Sequence, residues 1–357
     1  MHASSASRRL STLKNSFSLK GNMPKTVSVV IPCLNEEKTI QQVLDALYNQ
    51  TYPIKLMEIV IADGGSTDRT REVIATYQNA HPDLELHLVE NPKRIIPAGV
   101  NAAILASTGE IIVRMDAHSI PQSDYVERCV AGLESGLGDN VGGRWDIMPS
   151  NEGWIARSIA LAAGHPIGVG DAQYRHSSTA AVVDTVPYGS FFRSLLDKVG
   201  LFDETLIANE DYEFNTRIRQ AGGTIWFDPE IRCQYFARPN LNRLARQYWT
   251  YGFWKLQMLR RYPNTIRWRQ FLPPAFLLGL LVLAIVSIFF RPALFVLLAI
   301  IAIYSLILLL VGVQQWGKEK DIAYVIGVPL AIATMHFSWA AGFLVGIFSA
   351  KVKPEES

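Results

Sequence analysis

The sequence predicts an α/β fold, built on a doubly wound and mainly parallel sheet, followed by a C-terminal α-helical transmembrane region. Two observations predict it. Between residues 26 and 116, short β-branched runs alternate with segments of helical period. Between residues 271 and 350, only five of 80 residues are charged, in a chain that is 49% hydrophobic. The change in composition at Phe271 marks the main domain boundary.

The first half of the chain repeats a strand, a loop and a helix. The predicted strands are Thr26–Ile31, Glu58–Ala62, Leu84–Val89 and Glu110–Met115. The predicted helices are Ile40–Tyr48, Thr67–Tyr77 with Ser66 or Thr67 as N-cap, and Pro97–Ala106. Polar side chains follow the strand ends, among them Asn35, Asp63 and Asp116. Because ligands of such sheets bind beyond the carboxyl ends of the strands, we expect a site there.

The second half of the soluble part is less regular. Further strands are predicted at 141–147, 186–192, 224–227 and 231–236, with a helix at 209–221. A helix at 240–262 carries aromatic and arginine side chains before the apolar region. It is either an interfacial helix on the membrane surface or a domain helix packed against the sheet.

Three apolar stretches end the chain, at 271–290, 292–313 and 322–350. Since a span needs roughly 20 residues at helical rise, we expect three transmembrane helices. By the positive-inside rule, arginines before the first stretch predict that the α/β domain lies on the cytoplasmic side. The resulting domains are a basic disordered tail (1–23), the α/β domain (24–238), an interfacial region (239–270), the transmembrane region (271–350) and a tail (351–357).

Charge and cysteine content exclude several classes of protein. The formal net charge is only +2, so the chain has no global field suited to nucleic acid. Three widely spaced cysteines build neither a disulfide framework nor a zinc site. They indicate packed thiols in a reducing compartment.

Four motifs occur in order at the ends of predicted elements: V-V-I-P-C-L-N-E-E (29–37), A-D-G-G-S-T-D-R-T (62–70), M-D-A-H (115–118) and N-E-D-Y-E-F (209–214). Over residues 26–238 the chain resembles the inverting, GT-A-fold glycosyltransferases of family 2, in particular the membrane-bound enzymes of succinoglycan-type exopolysaccharide assembly. The resemblance implies a sugar nucleotide as donor.

The resemblance implies that Asn35, Glu36 and Asp63 bind the nucleotide. The full set of predicted substrate-binding residues is Pro32, Asn35, Glu36, Asp63, Ser66, Asp68, Arg94, Asn101 and Trp249. Simpler roles compete at several positions. Asn35 and Asp68 could cap helices, Asp63 could form a turn with Gly64, and Arg94 could be solvated surface charge. The family often has two consecutive acids where this chain has Asp63 followed by Gly64.

Asp116 and His118 occupy the place of the family's D-x-D motif, so the resemblance implies that they hold a divalent cation against the donor diphosphate. A carboxylate with an imidazole suits Mn²⁺ better than Mg²⁺. The alternative is that His118 is a turn residue bonded to backbone.

The resemblance assigns the catalytic base to Asp211, with Glu210 beside it. The alternative is that both acids only complement the dipole of the helix they begin. Gln247-Tyr248-Trp249 matches the Q-x-x-R-W motif of processive relatives poorly, which favours transfer of a single sugar.

The function expected is transfer of a hexose, glucose from UDP-glucose, to a polyprenyl-diphosphate-linked saccharide at the bacterial inner membrane. The alternatives are a polyprenyl-phosphate sugar synthase, a processive glycan synthase, or a non-catalytic membrane-tethered protein that binds sugar nucleotides. The sequence leaves the oligomeric state open.

Overall fold

A computed structural model describes residues 24–265 and 268–349. The predicted tails, 1–23 and 351–357, lie outside the described residues. The strands are β1 (Val27–Cys33), β2 (Met57–Asp63), β3 (Glu85–Glu90), β4 (Ile111–Arg114), β5 (Ser119–Pro121), β6 (Asn140–Met148), β7 (Ala181–Val183), β8 (Ser190–Phe192) and β9 (Ile225–Phe236).

The helices of the α/β domain are α1 (Ile40–Tyr48), α2 (Thr70–Ala80), α3 (Ile96–Ala106), α4 (Tyr125–Glu134), α5 (Trp154–Gly164), α6 (Pro166–Val169), α7 (Leu196–Val199) and α8 (Glu210–Gln220). They are followed by α9 (Leu241–Arg261), α10 (Leu272–Ser287), α11 (Arg291–Glu319) and α12 (Tyr324–Phe348).

One nine-stranded sheet runs in the order β3-β2-β1-β4-β8-β6-β9-β5, with β7 paired to β9. The strands β3, β2, β1 and β4 are parallel. Successive residues of a strand, such as Val29 and Val30, are buried on opposite faces of the sheet. A parallel sheet covered on both faces requires such apolar strands. Beyond β4 the sheet is mixed, since β8 is antiparallel to both β4 and β6. The predicted α/β class is confirmed. The mixed half also holds one parallel pair, β6 with β9.

The register of the parallel strands brings the predicted site together. Cys33 at the end of β1 pairs with Asp63 at the end of β2, and Asp63 pairs with Glu90 of β3. The loops after these strands therefore begin at the same edge of the sheet, beside the end of β4.

Several predicted boundaries were wrong. The helix predicted from Thr67 begins at Thr70, and neither Ser66 nor Thr67 is its N-cap. The strand predicted over 186–192 contains only residues 190–192, and the two strands predicted over 224–236 form the single strand β9. In each case tertiary pairing decided the boundary.

The helix α9 packs against α12 at backbone contact distance. A Cβ atom added at Gly252 would lie 2.0 Å from the carbonyl oxygen of Trp339, and one added at Gly342 would lie 2.1 Å from that of Trp249. Leu244 and Tyr248 of α9 are buried. This packing is on α12, so it does not decide between an interfacial helix and a domain helix packed against the sheet, and both interpretations stay predictions.

Two of the C-terminal helices, α11 and α12, are long and apolar enough to cross a membrane. The helix α10 has 16 residues, or about 24 Å, which is shorter than the ~30 Å of a bilayer's hydrocarbon core. One face of α12 is buried against the domain, where Gly327 contacts Ser158 of α5. The α/β domain and the apolar helices are thus joined through α5, α9 and α12.

Candidate active site

The site is organised around Arg114, the last residue of β4, whose side chain is only 2% exposed. Its Nη2 lies 3.0 Å from Asp116 Oδ1 and 3.2 Å from Glu210 Oε1, and its Nη1 lies 3.0 Å from Asp211 Oδ2. One guanidinium therefore joins the acid that follows β4 to the two acids that begin α8. The two predicted acids, Asp116 and Asp211, lie in one cleft.

Sequence reasoning missed Arg114. A charged residue inside the apolar strand I-I-V-R was the available signal, because a buried charge requires partners. Tyr188 was missed as well. Its ring lies under the guanidinium, 4.9 Å from the centroid to Arg114 Cζ, and its hydroxyl accepts a hydrogen bond from Ser119 at 2.7 Å.

The cluster holds more negative than positive charge. Three carboxylates share one guanidinium, which leaves two negative charges if all the acids are ionised. Burial, followed by the charge of Asp211, raises the pKa of Glu210 to about 7. Burial also raises the pKa of Asp211, although Arg114 opposes it. Burial and Asp116 thus offset the effect of the helix N-terminus, so Asp211 retains the basicity that a general base needs.

Local backbone geometry aims the acids into the cleft. Asn209, directly before α8, has a left-handed φ of 67°, and Tyr188 has a φ of 55°. The amide nitrogen of Tyr188 lies 3.5 Å from Asp211 Oδ2. Such backbone angles are uncommon for residues other than glycine and cluster at functional sites.

His118 forms a pair with Glu36 across the cleft. Its Nδ1 lies 2.9 Å from Glu36 Oε1. Burial lowers the pKa of His118, but the bond to Glu36 and the charge of Asp116 outweigh it and raise the pKa. A carboxylate on one ring nitrogen leaves the other nitrogen available as a ligand, which is the usual arrangement of metal-binding histidines.

The side chains of Asp116 and His118 supply part of the ligand set that a divalent cation needs. Asp116 Oδ1 is buried and has no hydrogen-bond partner, although it lies close to Arg114. Two protein ligands suit a cation whose other positions are filled by water and substrate phosphates. Within the described ranges, one group of three close metal-ligating side chains occurs, Glu58, Glu85 and His87. It lies near the opposite ends of β2 and β3, where Glu58 accepts hydrogen bonds from Ser28 and from the amide of Gly109.

The loops after β1 and β2 are locked together by side chains predicted to bind the donor. The amide of Asn35 donates to Ser66 Oγ at 2.8 Å, and Asn35 Oδ1 accepts from the amide of Thr67 at 2.8 Å. Asp68 accepts from the amides of Glu37 and Thr70 at 3.2 and 3.0 Å. Asp68 thus satisfies a free amide at the start of α2, whereas Asn35 caps no helix.

Asp63 has no exposed surface. Its carboxylate accepts from the amides of Gly65 and Ser66 and from Ser66 Oγ, and lies 3.0 Å from Arg71 Nε. In this conformation Asp63 shapes the loop after β2, so any contact with a donor would require the loop to open.

Pro32 and Asn101 are buried and structural. Pro32 packs against Gly99, where an added Cβ would lie 2.9 Å from the proline Cβ. The amide of Asn101 donates to the carbonyl of Phe202 and to Glu204, and its oxygen accepts from the amide of Phe202. Both residues therefore have contacts within the protein, and the predicted substrate contacts at these positions stay predictions.

Arg94 and Trp249 are exposed, in different places. The Arg94 guanidinium lies over Gly65, whose added Cβ would be 3.2 Å from Nη2, so Arg94 borders the locked loops. Trp249 lies outside the acid cluster. It stacks on Phe253 at 5.4 Å and lines a groove of about 420 Å³ between α9 and α12.

Known proteins resemble this chain in sequence and in fold. Residues 28–200 match the sequence profile of "Glycosyl transferase family 2". A Methanococcus voltae protein, named dolichyl N-acetyl-alpha-D-glucosaminyl phosphate 3-beta-D-2,3-diacetamido-2,3-dideoxy-beta-D-glucuronosyltransferase, is 26% identical over 90% of this chain and 97% of its own. The succinoglycan biosynthesis protein ExoA of Rhizobium meliloti is 29% identical over 88% and 93%.

Glycosyltransferase AglE of Haloferax volcanii is 32% identical over 62% of this chain and 70% of its own. Among solved structures, the mannosyltransferase PcManGT from Pyrobaculum calidifontis, in complex with GDP-Man and Mn²⁺, superposes with a TM-score of 0.63. It covers 96% of this chain and 94% of its own at 20% identity, a level at which the likeness concerns the fold.

Proposed function

The chain belongs to glycosyltransferase family 2, and from that premise we propose that it transfers a hexose, glucose from UDP-glucose, to a polyprenyl-diphosphate-linked saccharide. The names of two relatives support a lipid-linked acceptor, since one refers to a dolichyl phosphate sugar and the other to succinoglycan biosynthesis. We further propose that the reaction inverts the configuration at C1 of the transferred sugar.

The observation that carries the proposal is the bridge that Arg114 forms between Asp116 and the pair Glu210–Asp211. A glycosyl transfer needs a group that faces the leaving diphosphate and a base that faces the incoming hydroxyl. Both groups must lie near one anomeric carbon, and a shared guanidinium brings the two acids into that relation.

In the proposed reaction, Asp211 accepts the proton of the acceptor hydroxyl as its oxygen attacks C1. The new bond joins that oxygen to C1, the bond from C1 to the phosphate oxygen breaks, and UDP leaves with the electron pair. Glu210 adds local negative charge that favours proton uptake, while Arg114 holds the Asp211 carboxylate in place.

We assign donor binding to the edge formed by the locked loops, with Asn35, Glu36, Ser66, Asp68 and Arg94. Within residues 24–265 and 268–349 the Arg94 side chain has no ion pair, so its charge is available to a phosphate. Asp116 and His118 would hold a divalent cation, Mn²⁺ in preference to Mg²⁺. When bound, the cation supplies charge neutralisation for the leaving diphosphate.

The proposed location is the bacterial inner membrane, with several spans and the α/β domain on the cytoplasmic side. Support comes from the two apolar helices α11 and α12 and from the packing of α12 on the domain. Cytoplasmic placement also gives the enzyme access to sugar nucleotides.

The proposal is tested with membranes containing the full chain, Mn²⁺ and a panel of UDP- and GDP-sugars, read by nucleotide release. Release should depend on a polyprenyl-diphosphate saccharide and should fall at least ~100-fold in Asp211→Asn, because general bases contribute about 10²–10⁴. Asp197→Asn, an exposed acid of α7, is the matched control. Turnover with polyprenyl phosphate alone would show that polyprenyl phosphate, and not a polyprenyl-diphosphate saccharide, is the acceptor. UDP binding without any turnover would favour a binding protein instead.

A further inference from the structure

Arg175, in the 3₁₀ turn Gln173–Arg175, lies in a pocket of aromatic side chains. Its Cζ is 5.0 Å from the ring centroid of Trp145 and 5.4 Å from that of Tyr174. We call Trp145, Tyr174 and Arg175 the Arg175 pocket. Its walls are aromatic and its single charge is positive.

Among the described residues, no carboxylate lies within ion-pairing distance of Arg175. Its Nη1 donates to the carbonyl of Ala163 at 3.3 Å. A guanidinium carries five N–H donors, so donors remain that an anionic ligand could accept.

Trp145 provides an independent sign of a missing acceptor. The residue is 9% exposed, and its indole Nε1 is buried without a hydrogen-bond partner. Buried donors are satisfied in the great majority of cases, so an orphan donor beside an unpaired arginine requires an explanation. An oxyanion in the pocket would accept hydrogen bonds from both groups.

The pocket lies on the side of the site assigned to the acceptor. The Trp145 ring is 5.4 Å from that of Tyr188, and Tyr188 lies under Arg114, which contacts Asp211. The proposed donor edge lies instead at the ends of β1 and β2. Because Ala163 belongs to α5, whose Ser158 packs on Gly327 of α12, the pocket also adjoins the apolar helices.

We infer that the Arg175 pocket binds the phosphate group of the lipid-linked acceptor and so positions the acceptor sugar toward Asp211. The inference rests on the proposed function for the identity of the lipid. The shared chemistry is that of a phosphate oxyanion, which could also come from free pyrophosphate or from the donor, and the experiment separates these sources.

The test uses the full chain in lipid nanodiscs and measures, by calorimetry, binding of farnesyl diphosphate, inorganic pyrophosphate and UDP. Arg175→Gln should weaken farnesyl diphosphate binding by about 10- to 100-fold, the value of a charge-assisted hydrogen bond, and leave UDP binding unchanged. Arg175→Lys should retain part of the affinity. Arg243→Gln, which removes an exposed arginine from α9, is the matched control and should change neither.

Trp145→Phe keeps the ring and removes the indole N–H, and should weaken farnesyl diphosphate binding by about 5-fold. Unchanged UDP binding shows that a variant is folded. If Arg175→Gln does not fold, Arg175→Lys and Trp145→Phe decide the test. Unchanged farnesyl diphosphate binding, an equal loss of UDP binding, or pyrophosphate binding as tight as that of farnesyl diphosphate would each overturn the inference. If the variants no longer bind farnesyl diphosphate while the wild type turns over no sugar-nucleotide donor, the inference about the Arg175 pocket is supported and the proposed function is wrong.

Discussion

Arg114 Nη1 lies 3.0 Å from Asp211 Oδ2, although the two residues are 97 positions apart in the chain. The contact connects the end of β4 to the start of α8, which are the two places where the sequence motifs carry their acids. It occurs at a side chain that is almost fully removed from water. The effective dielectric is low there, so the charge of Arg114 acts strongly on all three carboxylates.

Replacing Arg114 by Gln should abolish turnover and destabilise the fold. Loss of one partner from a buried ionic cluster costs about 3–5 kcal/mol, because the remaining charges stay buried without compensation. Thermal unfolding and nucleotide release measure the two effects. Arg128→Gln, which removes an exposed ion pair with Asp124, should change stability by less than about 1 kcal/mol. Equal effects in both variants would show that Arg114 has no special role.

Replacing Glu210 by Gln should change how stability depends on pH. In the folded state the pKa of Glu210 is raised to about 7, above its unfolded value, so the folded state binds the proton more tightly. The resulting stabilisation is complete below the unfolded pKa and is lost as pH rises through the folded pKa. The wild type should therefore lose on the order of a few kcal/mol between about pH 4.5 and 7, and Glu210→Gln should lose less. Melting temperatures measured across this range test the prediction, and parallel curves would contradict it.

His118 should affect cation binding more than folding. His118→Ala should raise the Mn²⁺ concentration for half-maximal nucleotide release by at least about 10-fold, since even groups that support a ligand contribute 10- to 100-fold. Electron paramagnetic resonance of Mn²⁺ with UDP present gives a readout that is independent of turnover. Glu36→Gln should have a smaller effect in the same direction, because it removes only the partner of Nδ1. Unaltered Mn²⁺ binding in His118→Ala would exclude the histidine as a ligand.

Asp63→Ala should lower stability and donor affinity together. The substitution leaves the amides of Gly65 and Ser66 without their acceptor, at about 1–3 kcal/mol for each group that remains buried, while Arg71 keeps its pair with Glu90. Thermal unfolding and UDP titration on one sample measure both quantities. Asp83→Asn, at an exposed carboxylate bonded to Tyr48, is the control. Weaker UDP binding at unchanged stability would mean that Asp63 contacts the donor directly.

Gly252→Ala should loosen the packing of α9 on α12, since the added methyl group would lie 2.0 Å from the carbonyl oxygen of Trp339. Overpacking of this kind costs about 1–3 kcal/mol. Gly279→Ala adds the same group in α10, where no atom lies within 4 Å, and should be neutral or slightly stabilising because alanine favours helices. Unfolding temperatures in detergent compare the two variants, and an equal response would argue against tight packing at Gly252.

Local patterns in the sequence predicted the first strands and helices but missed α4, α5, β5 and β7, and the roles of the acids stay predictions. Hydrophobic period identified β1, β2, α1 and α3 within a few residues, and the acids at 116 and 210–211 were identified by their motifs and their positions at element ends. Such signals are local, since they depend on neighbouring residues and on the period of one strand or helix.

Only the tertiary structure decided the partners of those residues. In the sequence, Arg114 is one charged residue in an apolar run, and Arg175 belongs to no motif. Asn101 and Asp63 are predicted from the sequence to bind a ligand. Their roles follow from long-range contacts: Arg114 with α8, Asn101 with Phe202, and Arg175 with Trp145. Whether a polar side chain is hydrogen-bonded within the protein or is available to a ligand depends on which residues, distant in the sequence, lie next to it. The folding of the sheet determines which residues become neighbours, and a local sequence pattern does not predict them.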